Sequence, residues 1–164
     1  MESADTRIVI GDEPISGLAA RNDSPTMLGI ATTLCATIDA GTNVTYTWDL
    51  GDGQTAIGQS VMHVYPQVGV FTATVTASNS VGLANSVTSI LILDIPVTGL
   101  TAINSSPTLL GESTTFTATV EAGSNISYNW NFGDGGIGLG ELVTHTYDSA
   151  GLFTATLTAT NTVS

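Results

Sequence analysis

The chain has 164 residues, 42 % of them apolar, which suits one domain or two small ones and is too many for a disordered chain. Arg7 and Arg21 are the only fixed cations against fourteen carboxylates, and the net charge is −12. Such a surface repels phosphate backbones and anionic lipid, so nucleic acid and membrane surfaces are not expected as partners. No apolar run approaches the ~18 residues that cross a bilayer.

Thr, Ser, Val, Gly and Asn dominate, so β-branched residues and turn formers stand where a helical protein would carry Ala, Glu, Lys and Leu. The fold class read from this is all-β. Setting residue i beside residue i+82 aligns 14–82 with 96–164 without a gap, and 35 of those 69 positions are identical. That is a tandem duplication. The expected organisation is an N-terminal strand over 1–13, a first domain over 14–95 and a second over 96–164.

In chain order, the first predicted strand is Arg7-Ile8-Val9-Ile10-Gly11-Asp12, which the same register sets against Ser89-Ile90-Leu91-Ile92-Leu93-Asp94. Leu34, Ala36 and Ile38 then alternate with Thr33, Cys35 and Thr37, and Cys35 falls on the wet face. Val44, Tyr46, Trp48 and Leu50 share one face, as Ile126, Tyr128, Trp130 and Phe132 do in the second copy. Phe71, Ala73, Val75 and Ala77 alternate with threonines, and so do Phe153, Ala155, Leu157 and Ala159. Alternation with period two describes antiparallel strands with one buried face, and turn residues about every ten positions indicate a sandwich. Trp48, Trp130, Tyr65 and Tyr147 are the expected core anchors.

Each copy carries an apolar strand end running into a turn, Trp48-Asp49-Leu50-Gly51-Asp52-Gly53 and Trp130-Asn131-Phe132-Gly133-Asp134-Gly135. His63-Val64-Tyr65 and Gly69-Val70-Phe71 follow in the first, with His145-Thr146-Tyr147 and Gly151-Leu152-Phe153 at the same offsets in the second. This ordered set resembles the signature of the PKD (polycystic kidney disease) repeat. The resemblance implies two immunoglobulin-like β-sandwich domains in tandem, extracellular, serving as spacer, adhesion or substrate-proximity modules. The second copy ends at Ser164, before the strand that 85–94 supplies to the first, so it is expected to lack its final strand.

Candidate sites are few. Asp49 with Asp52, and Asp134 in the second copy, offer oxygens of the kind calcium takes, although an Asp in a turn also bonds nearby backbone N–H groups. Asp12 with Glu13, and Asp94 at the matching junction, form a second calcium candidate; calcium is the one cofactor considered. His63 and His145 are expected to be structural, because the motif supplies neither a nucleophile nor an acid partner, and the chain is not expected to be an enzyme. Asn22, Asn43, Asn104 and Asn125 each open a glycosylation sequon.

The function expected is a non-enzymatic, extracellular or cell-surface structural or adhesive module. Its N-terminal strand, through Ile8, Val9 and Ile10, is expected to pair beside Phe153, Ala155 and Leu157 of a neighbouring copy. That contact is head-to-tail and propagates into a filament. The alternative is a carbohydrate- or protein-binding accessory module of a secreted hydrolase or surface-layer protein, with cell-surface polysaccharide or protein as partner. Such a module needs an exposed aromatic platform.

Overall fold

A computed structural model describes residues 3–164. Among them every regular element is a strand, and the chain divides between Ile92 and Leu93 into two units.

The first unit holds β1 (Ala19–Asn22), β2 (Thr26–Met27), β3 (Thr32–Thr37), β4 (Thr45–Asp49), β5 (Thr55–Ile57), β6 (Ser60–His63), β7 (Gly69–Asn79) and β8 (Gly82–Leu93). They form a three-stranded sheet, β1-β3-β6, and a five-stranded sheet, β2-β8-β7-β4-β5. Alternation along β4 and β7 sends Tyr46, Trp48, Phe71, Ala73, Val75 and Ala77 inward, and β8 adds Ile90 and Ile92. Trp48 is fully buried, and its indole N–H donates to the Gly58 carbonyl at 3.0 Å, which satisfies the ring's one polar atom. Cys35 is half-exposed on β3, as strand alternation requires.

The second unit holds β9 (Thr101–Asn104), β10 (Ser113–Thr119), β11 (Ser127–Asn131), β12 (Ile137–Leu139), β13 (Leu142–Thr146) and β14 (Thr156–Thr160). Its sheets are β13-β10-β9 and β12-β11-β14. β9, β11 and β12 lie 82 residues after β1, β4 and β5, β10 and β13 match β3 and β6 to within a residue, and β14 covers only part of the shifted β7; Trp130 repeats the indole bond to Gly140 at 3.0 Å. Among the described residues β14 is paired only to β11, and no counterpart of β2 or β8 lies beside it.

Two apolar segments are left open among the described residues. Residues 3–13 carry no strand, and Ile8, Val9 and Ile10 are 78 %, 83 % and 91 % exposed. A strand needs a partner edge, and in this unit the place beside β7 is already taken by β8. Met1 and Glu2, also assigned to that strand, lie outside the described residues. The second is Phe153, Ala155, Leu157 and Ala159, which are half-buried, because among the described residues nothing packs across them from the open side.

Candidate functional site: two polar locks and an open edge

The Gly-Asp-Gly turns are built the same way in both units. Gly51 and Gly53 take positive φ, at 82° and 89°, and a Cβ on Gly51 would lie 2.3 Å from the Thr72 carbonyl oxygen. Asp49 Oδ1 accepts from the Gly51 N–H, and Asp52 Oδ1 accepts from the Gln54 N–H, both at 3.0 Å. The second oxygen of Asp52 sits 2.6 Å from His63 Nε2, and Asp134 and His145 repeat that contact at 2.6 Å. His63 meets Tyr65 edge-on, and His145 stacks on Phe132 at 4.2 Å. Tyr65 and Tyr147 donate to the carbonyls of Leu50 and Phe132, each at 3.0 Å, so turn, histidine and tyrosine make one network.

The titration of these groups follows from their neighbours. Burial pulls the Asp52 carboxyl upward, but the His63 hydrogen bond and the Gln54 N–H outweigh it and hold it below the usual value. Asp134 is lowered mainly by its bond to His145, then by the Gly136 N–H. Burial, with the charge of Asp52 behind it, raises Tyr65 to about 12.

The histidines do have an acid partner, contrary to the sequence reading. It is the turn aspartate eleven residues earlier, and the signal was present in the sequence, since both residues recur at that offset in both copies. The hollow beside the first pair is lined by Asp52, Gln54, His63, Val64 and Pro66, with no hydroxyl or thiol for the histidine to activate.

A second lock stands at the start of each unit. Asp12 Oδ1 accepts from Thr42 Oγ1 and Asn43 Nδ2, while Oδ2 accepts from the Ser80 hydroxyl at 2.6 Å. Asp94 repeats this with Ser124 at 2.8 Å, Asn125 at 2.7 Å and Thr162 at 2.6 Å, and is 1 % exposed. Hydrogen bonds from the Thr162 and Ser124 hydroxyls lower Asp94 to about 2, and those from Ser80 and Asn43 lower Asp12. Both carboxylates are thus committed to neutral donors. Of the six residues considered for calcium, Asp12 and Asp94 stand in these locks, Asp49, Asp52 and Asp134 stand in the turns, and Glu13 meets Thr42 and Asn79 through its backbone. Among the described residues no three His, Cys, Asp or Glu side chains gather as a metal site.

The sequons divide. Asn43 and Asn125 spend their side-chain nitrogens on Asp12 and Asp94, and Asn22 spends its own on Thr88 and Ser89. Asn104 engages only its oxygen, which accepts from the Ser106 N–H at 2.9 Å. Among the described residues no aromatic platform faces solvent: Trp48, Trp130 and Tyr65 are buried, and Tyr147 is half-buried.

The remaining feature is the open side of β14. A groove of about 560 Å³ runs over Phe116, Trp130, Phe153 and Ala155, rimmed by Leu109, Leu110 and Leu152. Leu109 and Leu152 are 81 % and 99 % exposed. In the first unit the equivalent space holds Ile90 and Ile92 of β8. No helix among the described residues is long and apolar enough to cross a membrane.

Comparison with known proteins agrees with the geometry. Human polycystin-1 is 31 % identical over 159 residues, covering 93 % of this chain, and human polycystin-1-like protein 1 is 34 % identical over 110 residues, covering 59 %. The chain spans about 4 % of the length of either relative. Among solved structures, an amphioxus IgVJ-C2 molecule superposes with a TM-score of 0.52 at 14 % identity, over 84 % of this chain and 92 % of that one, a likeness of fold alone. The PKD domain family profile matches residues 18–92 and 99–164. The chain belongs to the PKD domain family, as two PKD domains in tandem.

Proposed function

We propose that this chain is a non-catalytic structural and adhesive module of an extracellular or cell-surface protein, and that it assembles with copies of itself head-to-tail. The N-terminal segment of one copy lies as a strand along the stretch that runs from Gly151 into β14 of the next. The observation that carries this reading is a match of two exposed features: Ile8, Val9 and Ile10 without a partner, and an apolar groove beside a strand with a free edge. Residues 8, 10, 12 and 14 repeat residues 90, 92, 94 and 96, which include the part of β8 that fills the same space in the first unit. An exposed apolar edge of this kind invites β-augmentation. Because donor and acceptor surfaces differ, the contact does not close on itself as a two-fold dimer does.

Sedimentation velocity over a wide concentration range tests this. The full chain should give a ladder of oligomers that lengthens with concentration, and the double variant Ile8→Asp/Ile10→Asp should stay a monomer. A full chain that is monomeric at the highest concentration would rule the reading out.

A further inference from the structure

Resting on that assembly, the structure assigns a single register to the incoming strand and a pair of residues that select it, Asn104 and Ser106. The first unit provides the template. There Gly69 faces Ile92, Val70 faces Leu91, Phe71 faces Ile90 and Thr72 faces Ser89. Shifting each donor and acceptor by the repeat sets Ile10 opposite Gly151, Val9 opposite Leu152, Ile8 opposite Phe153 and Arg7 opposite Thr154, acceptor residues that lead into β14 and that the incoming strand would extend into the sheet. In this register Ala4, Thr6, Ile8 and Ile10 point inward, matching Ser86, Thr88, Ile90 and Ile92. Asp5, Arg7 and Val9 stay in water. A slip of one residue would bury Arg7 and expose both isoleucines.

A slip of two residues keeps the faces, so apolar burial alone does not forbid it. Directed hydrogen bonds do. In the first unit Asn22 Nδ2 donates to the Thr88 hydroxyl at 2.7 Å and the Ser89 carbonyl at 2.8 Å, and the Leu91 N–H donates to Ser24 Oγ at 3.2 Å. The counterparts in the second unit are Asn104 and Ser106, at the rim of the groove. Asn104 is exposed, and its oxygen is held by Ser106 as Asn22 is held by Ser24, at 2.9 Å and 2.8 Å. The donor carries what this key requires: Thr6 stands where Thr88 does, with Arg7 supplying the carbonyl and Val9 the N–H. One bond of the template is lost, because Ala4 replaces the Ser86 hydroxyl that accepts from the Ala20 N–H.

Disulfide trapping between full-length chains tests the register, in a Cys35→Ser background that removes the natural thiol. A Val9→Cys chain is mixed with a Leu152→Cys chain or with a Thr154→Cys chain, and mixed-chain dimers are counted after mild oxidation. Directly opposed strand residues bring their Cβ atoms close enough for a disulfide. Leu152→Cys should be favoured about tenfold over Thr154→Cys, on the scale of the hydrogen bonds that a slip of two would break. Adding Asn104→Ala should bring the two yields close to parity while oligomers persist. Equal trapping at both positions without that change, or a preference for Thr154→Cys, would overturn the register while the assembly stands. An undiminished preference in Asn104→Ala would overturn the role of that residue. No trapping and no oligomers would sink the assembly itself.

Discussion

The two units share half their residues and six strands, yet one buries a core of thirteen apolar side chains and the other only four. The difference is not local. Ala73 and Val75 are fully buried, while Ala155 and Leu157, at the matching positions, are half-exposed. β7 runs for eleven residues and β14 for five. What the first unit has in addition is β8, which buries Ile90 and Ile92, pairs β7 along its whole length and holds β2. Each of those isoleucines contributes roughly 1.5–3 kcal/mol by its own burial. It also shields the neighbours beneath it. Burial in a sandwich is collective, so one strand decides the state of another's side chains.

The largest test of this comparison is truncation of the indoles. Trp48→Ala and Trp130→Ala should each cost about 3–5 kcal/mol, but against cores of unequal size. Scanning calorimetry of the wild-type chain should show two transitions, the lower one from the second unit. Trp130→Ala should abolish the lower transition, while Trp48→Ala should move the upper one downward and leave the lower in place. A single transition shifted alike by both would show that the units are equally stable.

The acid response should sharpen the comparison. Asp94, lowered from 3.8 to about 2, contributes stability above its unfolded value that is lost as the pH falls through the folded one. The transition of the second unit should therefore drop as the pH goes from about 4 to about 2. Asp94→Asn should start lower and lose part of that slope, and a melt of the variant with the wild-type pH profile would contradict the lock. The smallest effect is expected at Cys35, where the second copy has Thr117. Cys35→Thr makes the units alike at a half-exposed strand position and should move the first unit by no more than about 0.5 kcal/mol in a denaturant melt.

Much of this architecture could be read directly from the chain. Period-two alternation around Trp48 and Phe71, doubled at a spacing of 82, is a local property, and local properties place strands. Residues 7–12 carry a strand pattern, but a strand needs an edge to pair with, and in the first unit the edge of β7 is taken by β8. The aspartate locks escaped a local reading. Asp94 was legible as a carboxylate at a junction, but its donors lie 30, 31 and 68 residues further along, so a charge poised for a cation and a charge already satisfied looked the same.

The β7–β8 ladder has a mechanical consequence. It holds eleven residue pairs, from Gly69 opposite Ile92 to Asn79 opposite Gly82. Tension applied along β8 at its Leu93 end acts parallel to the strand and across its hydrogen bonds, so the pairs share the load and must yield together. Pulled sideways from one end, the same bonds would open singly, like a zip. A strand seated along β14 in the matching register would take tension in the same shearing geometry, so a noncovalent joint between copies could resist stretching much as the continuous chain does.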